Sequence, residues 1–444
     1  MNVNREQHRR DLLLRMFDAA VAAAHPAKCL PPHLPAVPRD GRLIVVGAGK
    51  AGAAMAIAAG EHYATLLQPP TAVPSPRGGG DPKVSGSVVT RHGFGLPASI
   101  IAITEAGHPV PDDASVAAAQ NALALAGGAG ERDLVLCLLS GGASALWSAP
   151  VAGISLAAKQ ALTRALLKAG ARISEINTVR RHISAIKGGR LAAAAYPARL
   201  VTLAISDVPG DDPAVIGSGP TVADASTLAD AREVLARFSI TPPPEIAAAL
   251  ADPANETVKP GSALLANARY ALIATPRASI EAGAALARAE GYEVEVLGDA
   301  LEGEAREVGA HHAALALEAK SRGRRIAILS GGELTVTVTG QGAGGPNQEY
   351  ALGLAIALGS AAGISALAAD TDGIDGGGGS ASDPAGAMLG EDSLARAKGL
   401  GLDPATFLAN NDSTAFFEKL GDLVRSGPTQ TNVNDFRAIL IDPA

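Results

Sequence analysis

The stretch LIVVGAGKAG, residues 43–52, decides the prediction of the fold. Its first four residues, Leu43–Val46, are all apolar, which is typical of a strand buried on both faces of a parallel sheet. A glycine-rich turn with Gly47 and Gly49 follows, and Lys50 stands where the next helix should begin. Strand, glycine turn and helix in this order predict the first unit of a doubly wound α/β domain.

The same turn also predicts a site for an anion. Glycine lets the backbone approach a ligand closely, and amides at a helix N-terminus favour negative charge. Lys50 adds a positive charge, so the turn suits a phosphate or a carboxylate. The alternative is a tight connection with a solvated lysine, and this stretch by itself leaves both interpretations open.

A second junction of the same kind lies about ninety residues further along the chain. The apolar run Leu134–Leu139 leads directly into Ser140, Gly141 and Gly142, and a helix is expected to follow. The carboxyl ends of parallel strands meet at one edge of a sheet, where ligands bind in open α/β folds. Two such turns therefore predict two anion sites at that edge.

Composition excludes other classes of function. Acidic residues outnumber basic ones by 44 to 37, and no run of basic residues stands out. Nucleic acid is therefore not an expected partner, because binding its phosphates needs clustered Lys and Arg. The long uncharged stretches are broken by Gly and Ser, and no apolar signal segment follows the N-terminus. We expect a cytoplasmic protein without a membrane partner.

The length of 444 residues predicts more than one domain. A proline break and a polar segment between residues 242 and 261 indicate the boundary, which gives an N-terminal domain of residues 1–245 and a C-terminal domain of residues 262–444. The second half begins with a predicted strand at Ala271–Ala274. A further strand is predicted at Leu334–Val338, where Thr and Val alternate.

Polar residues at other strand ends supply further candidates. His108 lies between Gly107 and Pro109 and cannot belong to a regular element. Asp207 follows the predicted strand Arg199–Ser206, at a strand end where functional residues of α/β sheets commonly lie. A structural role in a turn is the alternative for each of them.

Three carboxylates in the second half, Asp370, Asp372 and Asp375, lie amid glycines after a predicted strand. Such a loop could bind Mg²⁺, which prefers a few carboxylates together with water and phosphate oxygens. Together with the glycine turns and Lys50, this pattern suits phosphoryl transfer. Lys50 would offset charge on the transferred group, and Asp207 could accept the proton of an attacking hydroxyl.

These motifs resemble the class II glycerate kinase family, whose C-terminal part is the MOFRL domain. The resemblance extends over essentially the whole chain. The matching stretches are VVGAGKAG (Val45–Gly52), TEAGHPVPD (Thr104–Asp112), LSGGASAL (Leu139–Leu146), NTVRRHISAIKGGRLA (Asn177–Ala192), ISDVPGDDPAVIGSGPTV (Ile205–Val222), SGGELTVTVTGQGAGGPNQE (Ser330–Glu349), DTDGIDG (Asp370–Gly376) and TQTNVND (Thr429–Asp435).

The resemblance implies ATP-dependent phosphorylation of D-glycerate, usually at the 2-hydroxyl, which gives 2-phosphoglycerate. It also implies two α/β domains, a Rossmann-like doubly wound parallel sheet and a smaller C-terminal domain, with the active site in the cleft between them. Glycerate and a nucleotide are the implied partners, and a homodimer is one possible assembly. Lys50 and Asp207 are the expected catalytic residues.

The residues expected to bind substrate or nucleotide are Gly47, Gly49, His108, Ser140, Gly141, Gly142, Arg181, Lys187, Glu333, Asn347 and Asn411. The family often has an arginine before Asn-Gln-Glu, whereas this chain has Pro346 there. We therefore expect Arg181, Lys187 or Arg190 to supply that charge.

Two other classes of function stay open from the sequence. Residues 47–52 fit the dinucleotide fingerprint G-x-G-x-x-G, which would suit an NAD(P)-dependent hydroxypyruvate reductase. Against it, no acidic residue for the ribose follows at the expected distance, where the chain instead has the loop Pro69–Pro82, rich in Pro and Gly. The third candidate is a sugar- or nucleotide-binding protein without catalytic activity.

Overall fold

The structure is a computed structural model that describes residues 2–67, 83–97 and 100–443. The predicted loop Pro69–Pro82 lies outside the described residues. The chain forms two compact units, one of residues Pro26–Ile273 and one that joins Met1–His25 to Ala274–Ala444. We call them the inner unit and the outer unit.

These units differ from the predicted domains of residues 1–245 and 262–444. The first helix belongs to the outer unit because its apolar residues, including Leu12 and Phe17, pack in one core with Ile280 and Phe436. The predicted linker and the strand after it belong to the inner unit, because that strand is the last one of the first sheet.

Helices and strands alternate through most of the inner unit. Its strands are β1 (Leu43–Ala48), β2 (Val84–Arg91), β3 (Ala102–Ala106), β4 (Leu134–Leu139), β5 (Arg199–Ile205) and β6 (Ala268–Ala274). Its helices, numbered after α1 (Asn2–Ala24) of the outer unit, are α2 (Pro26–Cys29), α3 (Gly52–Leu67), α4 (Asp113–Gly127), α5 (Ala143–Leu146), α6 (Leu156–Lys168), α7 (Ile173–His182), α8 (Arg190–Ala195), α9 (Leu228–Arg237) and α10 (Pro244–Ala251).

Among the described residues the first sheet has the strand order β3-β2-β1-β4-β5-β6. The pairings from β3 across to β5 are parallel, and Ala48 of β1 lies beside Leu139 of β4. This is the strand order of the Rossmann fold, whose ligand crevice opens where the order reverses, here between β1 and β4. Every residue of β1 and β4 is buried, as their apolar sequences predict.

The outer unit contains the second sheet. Its strands are β7 (Glu293–Leu301), β8 (Ile326–Gly332), β9 (Ile364–Asp370), β10 (Gly386–Leu389), β11 (Leu423–Val424) and β12 (Asp435–Ile441). Besides α1, its helices are α11 (Pro276–Ala289), α12 (Ala305–Ser321), α13 (Pro346–Leu358), α14 (Ser393–Gly399), α15 (Pro404–Ala409) and α16 (Ser413–Leu420).

The described part of this sheet has the order β11-β10-β9-β12-β8-β7. β7 and β8 are parallel, whereas β12 runs antiparallel to both β8 and β9. The prediction of a strand at Leu334–Val338 is wrong, because this segment forms an isolated bridge between Thr335 and Glu304 instead of a strand. The Glu304 carboxylate instead accepts the amide and the hydroxyl of Thr337. Two α/β units confirm the predicted fold class.

A buried arginine fixes α1 to the outer unit. Arg9 is 2% exposed and donates to Ser365 of β9 over 2.9 Å. Its guanidinium also forms ion pairs with Glu6, Glu391 and Asp442 over 2.6, 2.9 and 3.1 Å. Removal of one partner from such a buried network leaves the other charges without compensation. The first helix is therefore an integral part of the outer unit.

We expect Arg9→Met to lower the free energy of unfolding of the outer unit by about 3 kcal/mol, because three carboxylates lose their shared cation. Urea unfolding followed by far-UV circular dichroism measures this change. The single tryptophan, Trp147, lies in the inner unit, so its fluorescence reports that unit separately. Arg5→Met, at an exposed position of the same helix, is the control. An unchanged circular dichroism transition in the Arg9 variant would contradict this role.

Candidate active site

A cavity of about 460 Å³ opens in the inner unit. Its walls come from the loop before α4, from α5 and the residues that follow it, from one face of α6, and from α7 and the loop after it. The lining residues are His108, Pro109, Val110, Pro111, Gly142, Ser144, Ala145, Ser148, Lys159, Gln160, Thr163, Arg164, Leu167, Arg180 and Lys187. Gly142 follows the carboxyl end of β4, which places the cavity at the sheet edge predicted to bind anions.

Basic side chains line the cavity. Its charged lining residues are Lys159, Arg164, Arg180 and Lys187, and no Asp or Glu is among the described residues that line it. Within the described part of the chain none of these four side chains forms an ion pair. Lys159 and Lys187 are only 5% and 1% exposed. A buried charge without a partner is costly, so this arrangement favours an anionic ligand.

The buried ammonium groups are held by neutral oxygens. Lys187 donates to the carbonyls of Ser144 and Trp147 over 2.8 and 3.0 Å. Lys159 donates to the hydroxyl of Ser148 over 3.1 Å. Burial together with the charge of Arg180 lowers the pKa of Lys159 to about 7. Burial and the charges of Lys159 and Arg180 lower the pKa of Lys187 well below its usual value.

His108 is placed by a tightly bonded loop. Gly107 precedes it at a point where a Cβ atom would lie 2.4 Å from the carbonyl oxygen of Val110. Asp112 caps α4 by accepting the amide of Ser115, and Gln160 of α6 donates to the carbonyl of Pro111 over 2.7 Å. The loop is therefore tied to both α4 and α6, and His108 lies in the wall of the cavity.

Lys50, His108 and Gly142 come together beside the cavity. A Cβ atom on Gly142 would lie 2.9 Å from Nε2 of His108 and 3.4 Å from Cγ of Lys50. The backbone supports this arrangement, because the Lys50 amide donates to the carbonyl of Gly141 over 2.8 Å. Of the predicted site residues, His108, Gly142 and Lys187 line the cavity, and Lys50 lies next to Gly142 but outside the described lining.

The first glycine turn does not have the form of a phosphate loop. The amides of Gly49, Lys50, Ala51 and Gly52 all donate to protein oxygens, those of Val89, Gly141, Ser140 and Gly49. Gly47 and Gly49 instead allow close packing of the two strand ends, since Cβ atoms there would lie 2.7 Å from the Leu138 carbonyl and 2.0 Å from the Ser140 hydroxyl. These contacts occupy amides of the first turn, and the binding roles predicted for Gly47, Gly49, Ser140 and Gly141 stay predictions.

Two of the predicted cations are structural. Arg181 is buried, pairs with Asp224 over 2.7 Å and does not line the cavity in the described structure. Its neighbour Arg180 lines the cavity instead, because successive helical residues face different directions. Arg190 donates to the backbone carbonyls of Arg181, Ser184 and Asn255. Of the three candidates to replace the arginine absent at Pro346, Lys187 alone among the described residues lines this cavity.

Asp207 lies at the same edge of the first sheet but outside the cavity lining of the described residues. It follows β5, whose Ala204 lies beside Leu139 of β4. The segment Pro209–Asp211 after it forms a short 3₁₀ helix. The catalytic role assigned to Asp207 stays a prediction.

In the outer unit the predicted metal ligand Asp375 caps a helix. Its two carboxylate oxygens accept the amides of Asn347 and Gln348, each over 2.9 Å, and both side-chain amides of these residues. It is 2% exposed, and burial raises its pKa to about 7 against the lowering effect of these amides. Its oxygens are therefore occupied by the first turn of α13.

The other two predicted ligands shape the loop after β9. Asp370 accepts the amide of Asp372 over 2.8 Å, and Asp372 accepts that of Ile374 over 2.9 Å. In the described residues no group of three His, Cys, Asp or Glu side chains is arranged to hold a metal ion. Turns and a helix terminus use these carboxylates here, and the metal-binding role predicted for Asp370, Asp372 and Asp375 stays a prediction.

The remaining predicted binding residues of the outer unit also have structural contacts. Asn347 donates to Asp435 over 2.6 Å. Asn411 accepts the amides of Thr339 and Gly340, over 2.8 and 2.9 Å, and so fixes the glycine loop before α13. Glu333 is exposed just beyond β8. The predicted ligand roles of Asn347, Asn411 and Glu333 stay predictions.

Sequence reasoning missed three of the cavity cations. Lys159 and Arg164 lie on α6, where cavity-lining residues recur three or four positions apart: Lys159, Gln160, Thr163, Arg164 and Leu167. This spacing places the residues on one face of a helix, and it was the sequence feature that could have indicated their common position. Arg180 has no such signal, because only the packing of α7 distinguishes it from Arg181.

The inner unit is thus a Rossmann-like α/β unit with a cationic cavity at the switch point of its sheet, and comparisons with known proteins agree with this class. A family profile described as a domain of unknown function (DUF4147) matches residues 12–251, and the MOFRL family profile matches residues 326–435. A protein of Agrobacterium vitis called putative hydroxypyruvate reductase is 50% identical, over 97% of this chain and 94% of its own.

The D-glycerate 2-kinase of Thermotoga maritima is 38% identical, over 96% of each chain. A crystal structure of glycerate kinase from Thermotoga maritima superimposes with a TM-score of 0.85, covering 98% of this chain and 100% of that one. The chain therefore belongs to the class II glycerate kinase family with its MOFRL domain, which confirms the resemblance. In the described residues no helix is long and apolar enough to span a membrane.

We expect Asp375→Asn to lower the free energy of unfolding by about 2 kcal/mol, because an amide group in this position would face the donors of α13 with a donor of its own. Urea unfolding followed by circular dichroism measures the loss. Asp383→Asn is the control, since Asp383 accepts one amide, that of Ser380, in the same loop. The affinity for Mg²⁺, measured by calorimetry, should not change; loss of Mg²⁺ binding without loss of stability would contradict the capping role.

Proposed function

We propose that this protein is a kinase that transfers the γ-phosphoryl group of ATP to the 2-hydroxyl of D-glycerate and forms 2-phosphoglycerate. The observation that carries the proposal is the set of unpaired cations in the cavity beside Lys50. Glycerate is small and carries one carboxylate next to the hydroxyl that is phosphorylated. A kinase depends on ATP, so we place the activity in the cytoplasm.

The cavity would bind glycerate through its carboxylate. Lys159, Arg180 and Lys187 all line this cavity. A carboxylate there would offset the repulsion among the three cations, which makes binding favourable. The hydroxyl at C2 is one carbon away from that carboxylate and would stay within the same cavity. Ser144 and Ser148, which also line it, offer hydroxyl groups for further hydrogen bonds.

Lys50 would stabilise charge on the transferred phosphoryl group. Cγ of its side chain lies 3.4 Å from the point that a Cβ atom on Gly142 would occupy, and Gly142 lines the cavity. Phosphoryl transfer depends mainly on positioning and on neutralising charge, and a lysine fixed at a strand end supplies both. The hydrogen bond from the Lys50 amide to the Gly141 carbonyl fixes the position of the Lys50 backbone, from which this side chain extends.

ATP is the phosphoryl donor that the related kinases imply, and Mg²⁺ usually accompanies it. Mg²⁺ commonly keeps several waters and takes one or two carboxylates together with phosphate oxygens. The described residues do not offer the predicted cage of three carboxylates. We therefore assign no residue of this chain to the metal and derive no step from it.

Support for a kinase over a reductase comes from the first glycine turn. A dinucleotide would place its pyrophosphate on the amides of this turn. Those of Gly49, Lys50, Ala51 and Gly52 already have protein acceptors. The geometry of this turn therefore does not support the reductase activity that the name of the Agrobacterium vitis relative suggests.

We expect Lys50→Ala to lower kcat at least a hundredfold, since a positioned charge donor contributes ~3 kcal/mol to the transition state. Phosphorus NMR of a mixture of ATP, Mg²⁺ and D-glycerate measures turnover and distinguishes the 2-phosphate from the 3-phosphate. Lys28→Ala, at an exposed position in the same unit, should behave like the wild type. NADH-dependent reduction of hydroxypyruvate without a new phosphate ester would defeat the kinase proposal.

We expect D-glycerate to bind about tenfold more weakly at about pH 8.5 than at about pH 6.5. The pKa of Lys159 is lowered to about 7, so its ammonium is lost as the pH rises, and an anion binds the protonated form. Binding should therefore take up a proton, which calorimetry in buffers of different ionisation enthalpy detects.

The control for this pH dependence separates Lys159 from the other groups of the cavity. Arg164, Arg180, Lys187 and His108 also line it, and they remain when Lys159 is replaced. Lys159→Gln should flatten the dependence above neutral pH, whereas Lys168→Gln, exposed at the end of the same helix, should preserve it. A Lys159→Gln variant with the full pH dependence would show that another group takes up the proton.

A further inference from the structure

We propose that His108 is the general base that accepts the proton of the glycerate 2-hydroxyl. This proposal rests on the proposed function, and it assigns to His108 the role that the sequence suggested for Asp207. An attacking hydroxyl needs a proton acceptor within hydrogen-bond distance, and a histidine is the side chain that most often performs this task.

The composition of the cavity wall limits the choice of base. Among the described lining residues no Asp or Glu is present, and His108 is the one imidazole. The other titratable groups there are Lys159 and Lys187, which the proposed function engages as cations on the substrate carboxylate. Arg164 and Arg180 do not act as bases at ordinary pH. His108 is therefore the residue of this wall suited to accept a proton.

The position of Nε2 fits this role. It lies 2.9 Å from the point that a Cβ atom on Gly142 would occupy, and Cγ of Lys50 lies 3.4 Å from the same point. The imidazole is thus next to the lysine expected to contact the phosphoryl group. The substrate hydroxyl must lie between its carboxylate and that phosphoryl group. Any side chain at position 142 would displace the imidazole, so Gly142 keeps this space open.

The loop that carries His108 is preorganised. Asp112 accepts the amide of Ser115 over 2.9 Å and contacts His92 over 2.7 Å, and Gln160 holds the carbonyl of Pro111. These contacts fix both the α4 side and the α6 side of the loop. A base held in place before the substrate arrives needs little reorganisation in the reaction.

The step balances as a single phosphoryl transfer. The glycerate oxygen forms a bond to the γ-phosphorus of ATP, and the bond from that phosphorus to the bridging oxygen of ADP breaks. The hydroxyl proton moves to Nε2 of His108, which becomes an imidazolium ion. Release of this proton to solvent after the products leave restores the neutral base.

The test compares His108→Gln with the wild type by steady-state kinetics across pH. We expect kcat to fall at least about a hundredfold, with KM for D-glycerate changed by less than about threefold. In the wild type kcat should fall toward low pH as the imidazole becomes protonated, and the variant should lose this dependence. His33→Gln, exposed in the same unit, should keep the wild-type values.

A second variant guards against a merely structural effect. His108→Ala should regain part of its kcat when imidazole is added, whereas thermal unfolding of both His108 variants should match that of the wild type. Three results would overturn the role as base: kcat within about threefold of the wild type in His108→Gln, a change confined to KM, or an unaltered fall at low pH.

The proposal and the kinase activity on which it rests fail in different ways. If the wild-type protein forms no phosphoglycerate from ATP and D-glycerate, the proposed function fails. If the wild type is active and His108→Gln is equally active, only the assignment of the base fails. In that case Asp207→Asn, measured in the same way, identifies the alternative.

Discussion

The close parallel pairing of β1 with β4 is the constraint on which the candidate site depends. The two strand ends meet at Gly49 and Ser140, where a Cβ atom on the glycine would lie 2.0 Å from the serine hydroxyl. Because the backbones approach this closely, the amides of Lys50 and Ala51 donate to Gly141 and Ser140 of the second turn. The result places Lys50 beside Gly142, two residues that are far apart in the sequence. The candidate site is therefore built from both turns rather than from the first one alone.

The electrostatics of the cavity follow from the helices that pack around the ends of β1 and β4. α6 and α7 bring Lys159 and Arg180 to the same space as Lys187, and no carboxylate accompanies them in the described lining. Burial of these charges costs desolvation free energy, which a bound anion would offset. The lowered pKa values of Lys159 and Lys187 have the same origin. The proposed binding of a small acid and the expected dependence of that binding on pH therefore rest on one arrangement.

The polar motifs of the outer unit illustrate how a catalytic pattern can have a structural use. The loop after β9 has three aspartates among glycines, as a metal loop would. The structure uses Asp375 to cap α13 and uses Asp370 and Asp372 to close turns. Such carboxylates accept backbone amides that would otherwise be buried without partners, so their chemistry is needed for folding as much as for binding. The same holds for Asn411, which fixes the glycine loop before α13.

The sequence by itself determined the local elements and the family. Apolar runs such as Leu134–Leu139 become buried strands because no other placement removes their side chains from water. It also singled out His108, Gly142 and Lys187, which line the cavity, although their roles in binding stay predictions. Only the tertiary structure decided that Arg180 rather than Arg181 faces the cavity, that α6 contributes Lys159 and Arg164, and that α1 belongs to the outer unit. These outcomes depend on which faces of distant elements pack together, and the spacing of residues along one element does not contain that information.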